Sequence, residues 1–304
     1  LVMVRSHIGY GSPKQDSASA HGEPLGKDAL IETKKNLGWP VEPDFFIPEE
    51  ALAHFELAVE RGKELERDWL DLTGRYGEDH PEAYKELQRA ISGDLPGDWD
   101  ADVDRFSPGD GPVATRSFSG IVMNHIADRL KTFIGGSADL APSNKTMLKG
   151  KGDFSAEESG SRNLHFGVRE HAMGAIVNGM AAHGALVPFG ATFLVFSDYM
   201  RPALRMAAMM QVSSTFVFTH DSIAVGEDGP THQPVEQLMS LRAIPGLTVI
   251  RPADANETAA AWRLALKRSG PHALVLTRQK LPVLDPDLYP AEEGTQSGLS
   301  LIHI

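Results

Sequence analysis

Between residues 113 and 277 the apolar and polar positions switch repeatedly between a helical and an extended period. A helix is expected from about Ser117 to Lys131, then a short strand, Thr132–Ile134, that ends at Gly135-Gly136-Ser137-Ala138-Asp139. A second helix is expected from near Arg169 to His183, followed by the apolar run Ala185–Val195 and a methionine-rich helix over Tyr199–Gln211. Strand Thr215–Thr219, helix Val235–Ala243, strand Thr248–Ile250, helix Glu257–Ser269 and strand Ala273–Thr277 complete the set. Strands alternating with helices predict an α/β fold, a doubly wound and mainly parallel sheet flanked by helices. Ligands of such sheets bind outside the carboxyl ends of the strands, where the loops carry the chemistry.

The upstream part reads differently. Residues 41–112 are expected to form a helical linker before the α/β domain, in charged pieces punctuated by Pro43, Pro48 and Pro81. Pro48-Glu49-Glu50 is a helix opening, with proline in the first turn and acids on the positive end of the dipole. Leu52, Phe55, Leu57, Val59 and Leu65 give that helix a loose apolar stripe, and the Pro/Gly-rich stretch Leu95–Gly111 marks a boundary. Before the linker, Leu1–Arg5 reads as a buried strand, Ile8–Gly11 as a glycine turn and residues 11–30 as loop.

Composition narrows the classes. Of 304 residues 41% are hydrophobic and 23% charged, an ordinary balance for a globular protein. A formal net charge of −12 argues against nucleic-acid or membrane-surface partners, although a local basic pocket still suits a phosphate. Cysteine is absent, which removes disulfides and thiolate chemistry. No apolar run approaches the roughly 20 residues of a membrane span. With no signal-peptide pattern, a cytoplasmic location is the expectation.

The most chemically dense stretch is Thr219-His220-Asp221-Ser222-Ile223-Ala224-Val225-Gly226-Glu227-Asp228-Gly229-Pro230-Thr231-His232-Gln233-Pro234, between a strand and a helix. Beside it stand Ser19-Ala20-His21-Gly22, Ala114-Thr115-Arg116, the run Gly135–Asn144, Gly167-Val168-Arg169-Glu170, Thr192–Tyr199 and Leu276-Thr277-Arg278-Gln279. Taken singly, each residue also has a plain structural reading. Glu170 would cap a helix, Arg116 and Arg278 would sit in surface ion pairs, Asp139 would end a strand and His21 would be a solvated loop residue. Phe193, Phe196 and Tyr199 would be core packing. His54, His80, His125, His171, His183 and His272 carry no partner pattern and read as structural or solvated. Methionines at 206, 209 and 210 read as packing residues.

In their order along the chain these motifs resemble the transketolases, thiamine-diphosphate enzymes that move a two-carbon ketol unit between sugar phosphates. The resemblance covers about Ile8 to Leu281 and implies the thiamine-diphosphate-binding fold. It assigns residues 1–40 to the end of the diphosphate-binding domain, 41–112 to the interdomain linker, 113–282 to the pyrimidine-binding domain, and 283–304 to a truncated linker. The tail Ser297–Ile304 reads as non-native. By resemblance Glu170 is the carboxyl group that hydrogen-bonds the cofactor's pyrimidine and promotes the tautomer that takes the thiazolium proton. Phe193, Phe196 and Tyr199 would wall the pyrimidine, and Asp139 would lie at a subunit contact near the cofactor. Arg116, Ser143, His220 and Arg278 would bind the substrate phosphate, a role that suits the planar arginine fork. Asp228 would bind the donor's 2-hydroxyl, while His232 and His21 would stabilise oxyanions and move protons.

The resemblance also implies a homodimer with the cofactor between subunits and a Mg²⁺ or Ca²⁺ ion on the diphosphate. Its ligands, expected in a Gly-Asp-Gly…Asn segment farther upstream, do not occur here; Gly109-Asp110-Gly111 has no suitably spaced Asn after it. Dihydroxyacetone synthase shares the motifs and would be separated by a formaldehyde-acceptor assay. Other thiamine enzymes match the Thr219–Pro234 run less closely. A non-catalytic dimerising or regulatory domain is the alternative of another class.

Overall fold

The computed structural model describes residues 2–103 and 105–298, which form two compact units divided after Asp79. The expected strand at Leu1–Arg5 is not formed over its described part. Val2, Met3 and Val4 are exposed, and no described strand offers the ladder of backbone partners that an extended segment needs. Of the tail Ser297–Ile304, residues 299–304 lie outside the described residues. The first unit contains α1 (Lys27–Asn36) and α2 (Glu49–Asp79). Helix α1 takes the end of the segment expected as loop, starting after Gly26, whose φ of 80° closes the preceding turn. Helix α2 opens at Glu49, as the Pro48-Glu49-Glu50 signal predicts. None of the helices among the described residues is long and apolar enough to cross a membrane.

The second unit begins with α3 (Pro81–Ser92), which carries Pro in its first turn and stops at the left-handed Gly93. Then follow α4 (Thr115–Arg129), β1 (Phe133–Ser137), α5 (Ala141–Asn144), β2 (Asn163–His165), α6 (Glu170–His183), β3 (Val187–Phe193) and α7 (Ser197–Met210). The unit continues with β4 (Thr215–Thr219), α8 (Gln237–Arg242), β5 (Thr248–Ile250), α9 (Ala255–Lys267), β6 (His272–Leu276) and α10 (Ala291–Ser297). All strand pairs are parallel, in the order β2-β1-β3-β4-β6-β5.

Each face of this sheet is buried under helices. Phe118, Val122 and Ile126 of α4 and Trp262 of α9 pack with Phe133, Phe189 and Val217 on one face. Met173 and Val177 of α6 and Met200 and Leu204 of α7 pack with Phe216 and Phe218 on the other. The alternation Phe216, Val217, Phe218 between the two layers is the strand period of two made visible. Trp262 donates its indole N–H to Ser119 Oγ at 2.9 Å, so the largest core ring leaves no polar atom unmet.

Two details of the sheet differ from the sequence expectation. The pair Gly135-Gly136 lies inside β1 instead of ending it. A Cβ at these positions would strike the carbonyl oxygens of Phe189 and Leu164 on the two neighbouring strands. Strand β2 was not expected: Asn-Leu-His has none of the β-branched residues that mark the equally short β5, and the Asn163 side chain stitches it to Leu148 and Gly152 instead.

Candidate functional site

Because every strand runs the same way, the loops after β1, β3, β4 and β6 leave one edge of the sheet together. His220 stands at the end of β4 in a left-handed conformation (φ 59°), which turns the chain sharply out of the strand. Its ring is buried and sits within a hydrogen-bonded chain. Arg116 Nη1 lies 3.3 Å from His220 Nε2, and His220 Nδ1 lies 2.9 Å from Thr219 Oγ1. Thr219 donates to Asn144 Oδ1 at 2.7 Å, and Asn144 donates to Ser137 Oγ at 2.9 Å. Thr219 has one proton and spends it on Asn144, so it accepts from His220. That fixes the neutral tautomer with the proton on Nδ1, leaving Nε2 to accept from Arg116. Burial first, then the charge of Arg116, pushes the His220 pKa down to about 4, against the opposing pull of Asp228.

Arg116, in the first turn of α4, also donates to the carbonyl of Ser143 at 2.8 Å, and its Nε is buried without a partner. Burial and the nearby Arg278 lower its pKa below the ordinary arginine value, while Asp228 offsets them. Arg278 follows β6 and reaches the β4 loop, with Nη2 at 2.9 Å from Glu227 and Nε at 3.6 Å from Asp228. Glu227 is largely exposed, so this ion pair is worth at most about 1 kcal/mol and an incoming anion can replace it.

An aromatic ladder flanks the charged group. His220 stacks on Phe193 with ring centroids 3.7 Å apart, Phe193 on Phe196 at 5.8 Å, and Phe196 on Tyr199 at 6.1 Å. His232, in the turn Pro230–His232, meets Phe193 and Phe196 edge-on at 6.0 and 5.4 Å. Phe193 is only 6% exposed and has a ring on each side, whereas Phe196 is half-buried and Tyr199 is 67% exposed. The outer rings are therefore the ones open to a ligand.

Seven of the twelve sequence candidates thus meet directly: Arg116, His220, Asp228, Arg278, His232, Phe193 and Phe196. Ser143 joins through its carbonyl and Tyr199 through the end of the ladder. Glu170 opens α6 on the inward face shared with Met173 and Val177, which pack against Gly190 of β3, the strand that ends at Phe193. It is 8% exposed, and its carboxylate has no hydrogen bond or ion pair among the described residues. No ring contact or ion pair joins it to the histidine–arginine group. Asp139 is exposed at φ 59° just beyond β1, with no side-chain partner. His21 belongs to the first unit, where it follows the turn Ala18–Ala20 with its side chain exposed. Asp110 of the glycine-flanked near match caps its own turn by accepting from Ser107. No group of three or more His, Asp or Glu suited to a metal ion occurs among the described residues.

Thr219 and Asn144 were not singled out from sequence, although both lie in the quoted motifs. Their signal was position: one closes a strand immediately before a histidine, the other ends a glycine-rich run. Their role emerges only when the loops after β1 and β4 are seen side by side.

Comparison with known proteins gives a consistent result. The family model "Transketolase, pyrimidine binding domain" matches residues 111–283, and "Transketolase, thiamine diphosphate binding domain" matches residues 1–96. The chain is 52% identical to the transketolase of Aquifex aeolicus (strain VF5) over 303 residues, 99% of this chain and 43% of that protein. It is also 52% identical to that of Bacillus subtilis (strain 168) over 305 residues, 99% and 46%. Among solved structures it is similar to transketolase from Leishmania mexicana, with a TM-score of 0.87, 38% identity and coverage of 96% of this chain and 43% of that one. It is likewise similar to transketolase of Pichia stipitis in complex with sedoheptulose 7-phosphate, with a TM-score of 0.84, 44% identity and coverage of 91% and 42%. The chain spans less than half the length of the curated relatives it matches.

Proposed function

The chain belongs to the transketolase family, and from that premise we propose that it supplies the pyrimidine-side half of an enzyme moving a two-carbon ketol unit from a ketose phosphate to an aldose phosphate. The observation that carries this reading is the convergence of Arg116, Arg278, His220, Asp228 and His232 beside an aromatic ladder at the carboxyl edge of the sheet. Arg116 in the first turn of α4 and Arg278 just beyond β6 together suit a phosphate, whose oxygens accept paired N–H donors. Release of Glu227 from Arg278 would free such donors. Asp228, beside Arg278 and exposed at the loop, can accept from a sugar hydroxyl. His232, held against the rings, can pass a proton to or from an oxygen at the reacting carbon.

The residues present also fit the pyrimidine end of thiamine diphosphate. Phe196 and Tyr199 offer flat faces, and the buried, unengaged carboxyl of Glu170 is free to bond a ring nitrogen. When bound, the cofactor supplies a carbon nucleophile that accepts the two-carbon unit; Glu170 would keep the pyrimidine in its productive tautomer. Among the described residues no group of His, Asp or Glu fits a divalent cation. We assign residues 1–40 to the end of a diphosphate-binding domain, 41–112 to a linker and 113–282 to the pyrimidine domain. Asp139 and His21 are assigned to the cofactor side of a homodimer in which the cofactor lies between subunits, in the cytoplasm.

The test is a chimaera of the Bacillus subtilis relative in which residues 111–283 of this chain replace the matching segment. Transfer from xylulose 5-phosphate to ribose 5-phosphate is expected, falling at least about 100-fold with Glu170→Gln. A folded, dimeric chimaera that binds cofactor but transfers nothing would overturn the proposal.

A further inference from the structure

Asp221, the residue after His220, is fully buried at its side chain, yet it is not part of the ligand group. Its Oδ2 receives Arg251 Nε at 2.8 Å and Arg251 Nη2 at 2.7 Å, while Oδ1 is buried with no partner. Asp221 leaves the end of β4 and Arg251 leaves the end of β5. In the sheet order β4-β6-β5 these ends lie two strand spacings apart, about 10 Å. The ion pair therefore links β4 to β5 across the intervening β6, from which Arg278 issues. Its β5 end is firmly seated: Pro252 follows Arg251, the Asp254 side chain accepts from Glu257 N, and Glu257 accepts from Ala253 N.

At the other end the pair holds a strained turn. His220 has φ 59°, a conformation that residues with a Cβ seldom adopt and that neighbouring contacts must enforce. The left-handed turn separates two consecutive side chains, His220 toward Phe193 and Arg116, Asp221 toward Arg251. We infer that Asp221 and Arg251 form a brace that fixes the turn at His220, and with it the spacing between His220 and Arg278. Both are positioning residues: they act through His220 and touch no ligand. The inference rests on reading this edge as an anion-binding cleft.

The test uses the full 304-residue chain. ¹⁵N-histidine spectra and titrations with inorganic phosphate are compared for wild type, Arg251→Met, Arg251→Lys and Asp221→Asn. In wild type the His220 ring carbon-bound protons should show the ring-current shift imposed by Phe193 stacked at 3.7 Å. Arg251→Met and Asp221→Asn should reduce that shift and weaken phosphate binding about tenfold, the scale of one charge-assisted hydrogen bond. Arg251→Lys, which keeps the charge, should restore part of both. Arg251 is partly exposed, so its variants carry the test even if Asp221→Asn fails to fold. Unchanged His220 signals and phosphate affinity in Arg251→Met would overturn the brace. Displaced His220 signals in a chain whose wild type binds no phosphate would leave the brace standing and remove the anion-binding reading.

Discussion

His220 illustrates how much a single side chain depends on partners that a linear reading does not link. Its Nδ1 proton is fixed by Thr219, whose own proton is committed to Asn144, so Nε2 is left as an acceptor facing Arg116. His220 therefore orients the arginine before any ligand arrives. It and His272 share a second property: each is buried, and in each burial pushes the pKa down to about 4 from the free value of 6.5. His272 has no well-formed hydrogen bond at either nitrogen; the nearby Gly270 carbonyl only partly opposes the effect of burial. The unfolded chain binds more protons than the folded one between these values. The stability tied to both rings is complete above pH 6.5 and is lost as pH falls toward about 4. Denaturant melts across that range should show a loss on the order of a few kcal/mol. His272→Leu, which removes nitrogens that have no partner to lose, should flatten the curve without loss of stability at pH 8. An unchanged slope would show that His272 is not held neutral. The residue types of the charged group were legible because they crowd one loop; the tautomer was not, because it depends on residues 75 positions apart.

At the scale of elements, the amphipathic helices and the strands rich in β-branched and aromatic residues were legible. Strand β4 falls on Thr215–Thr219 and β5 on Thr248–Ile250, as expected. The errors fall where another constraint outweighs the pattern. Gly135 and Gly136 read as a strand end because glycine punctuates turns, yet they form the middle of β1, where neighbouring carbonyls exclude a Cβ. Gly136→Ala should therefore separate β1 from β2 and cost about 3 kcal/mol by chemical denaturation. A loss below about 0.5 kcal/mol, typical of a surface substitution, would contradict the packing described. The ladder of His220, Phe193, Phe196 and Tyr199 was legible as an aromatic spacing but not as a stack. Phe193 ends β3, while Phe196 and Tyr199 belong to the turn and helix that follow, and only the fold brings the histidine of β4 onto it.

For the molecule as a whole, the sheet gathers the histidine–arginine group and its aromatic ladder at one edge, and the described residues contain no metal-binding group. The chain alone is accordingly expected to bind thiamine diphosphate more weakly than about 1 μM by calorimetry with Mg²⁺ present, because a diphosphate without its cation is poorly neutralised. Sub-micromolar affinity would mean that this chain neutralises the diphosphate by itself. The proposed function makes the opposite demand of the histidine–arginine edge of the sheet: it belongs wholly to the second unit and should respond to a sugar phosphate without help. The most direct measurement is an NMR titration of this chain with ribose 5-phosphate and, in parallel, with ribose. The account predicts that the phosphorylated sugar shifts the side-chain signals of Arg116, His220, His232 and Arg278, that ribose shifts them far less, and that Arg278→Gln weakens the response. Equal responses to both sugars, or shifts confined to other surfaces, would contradict it.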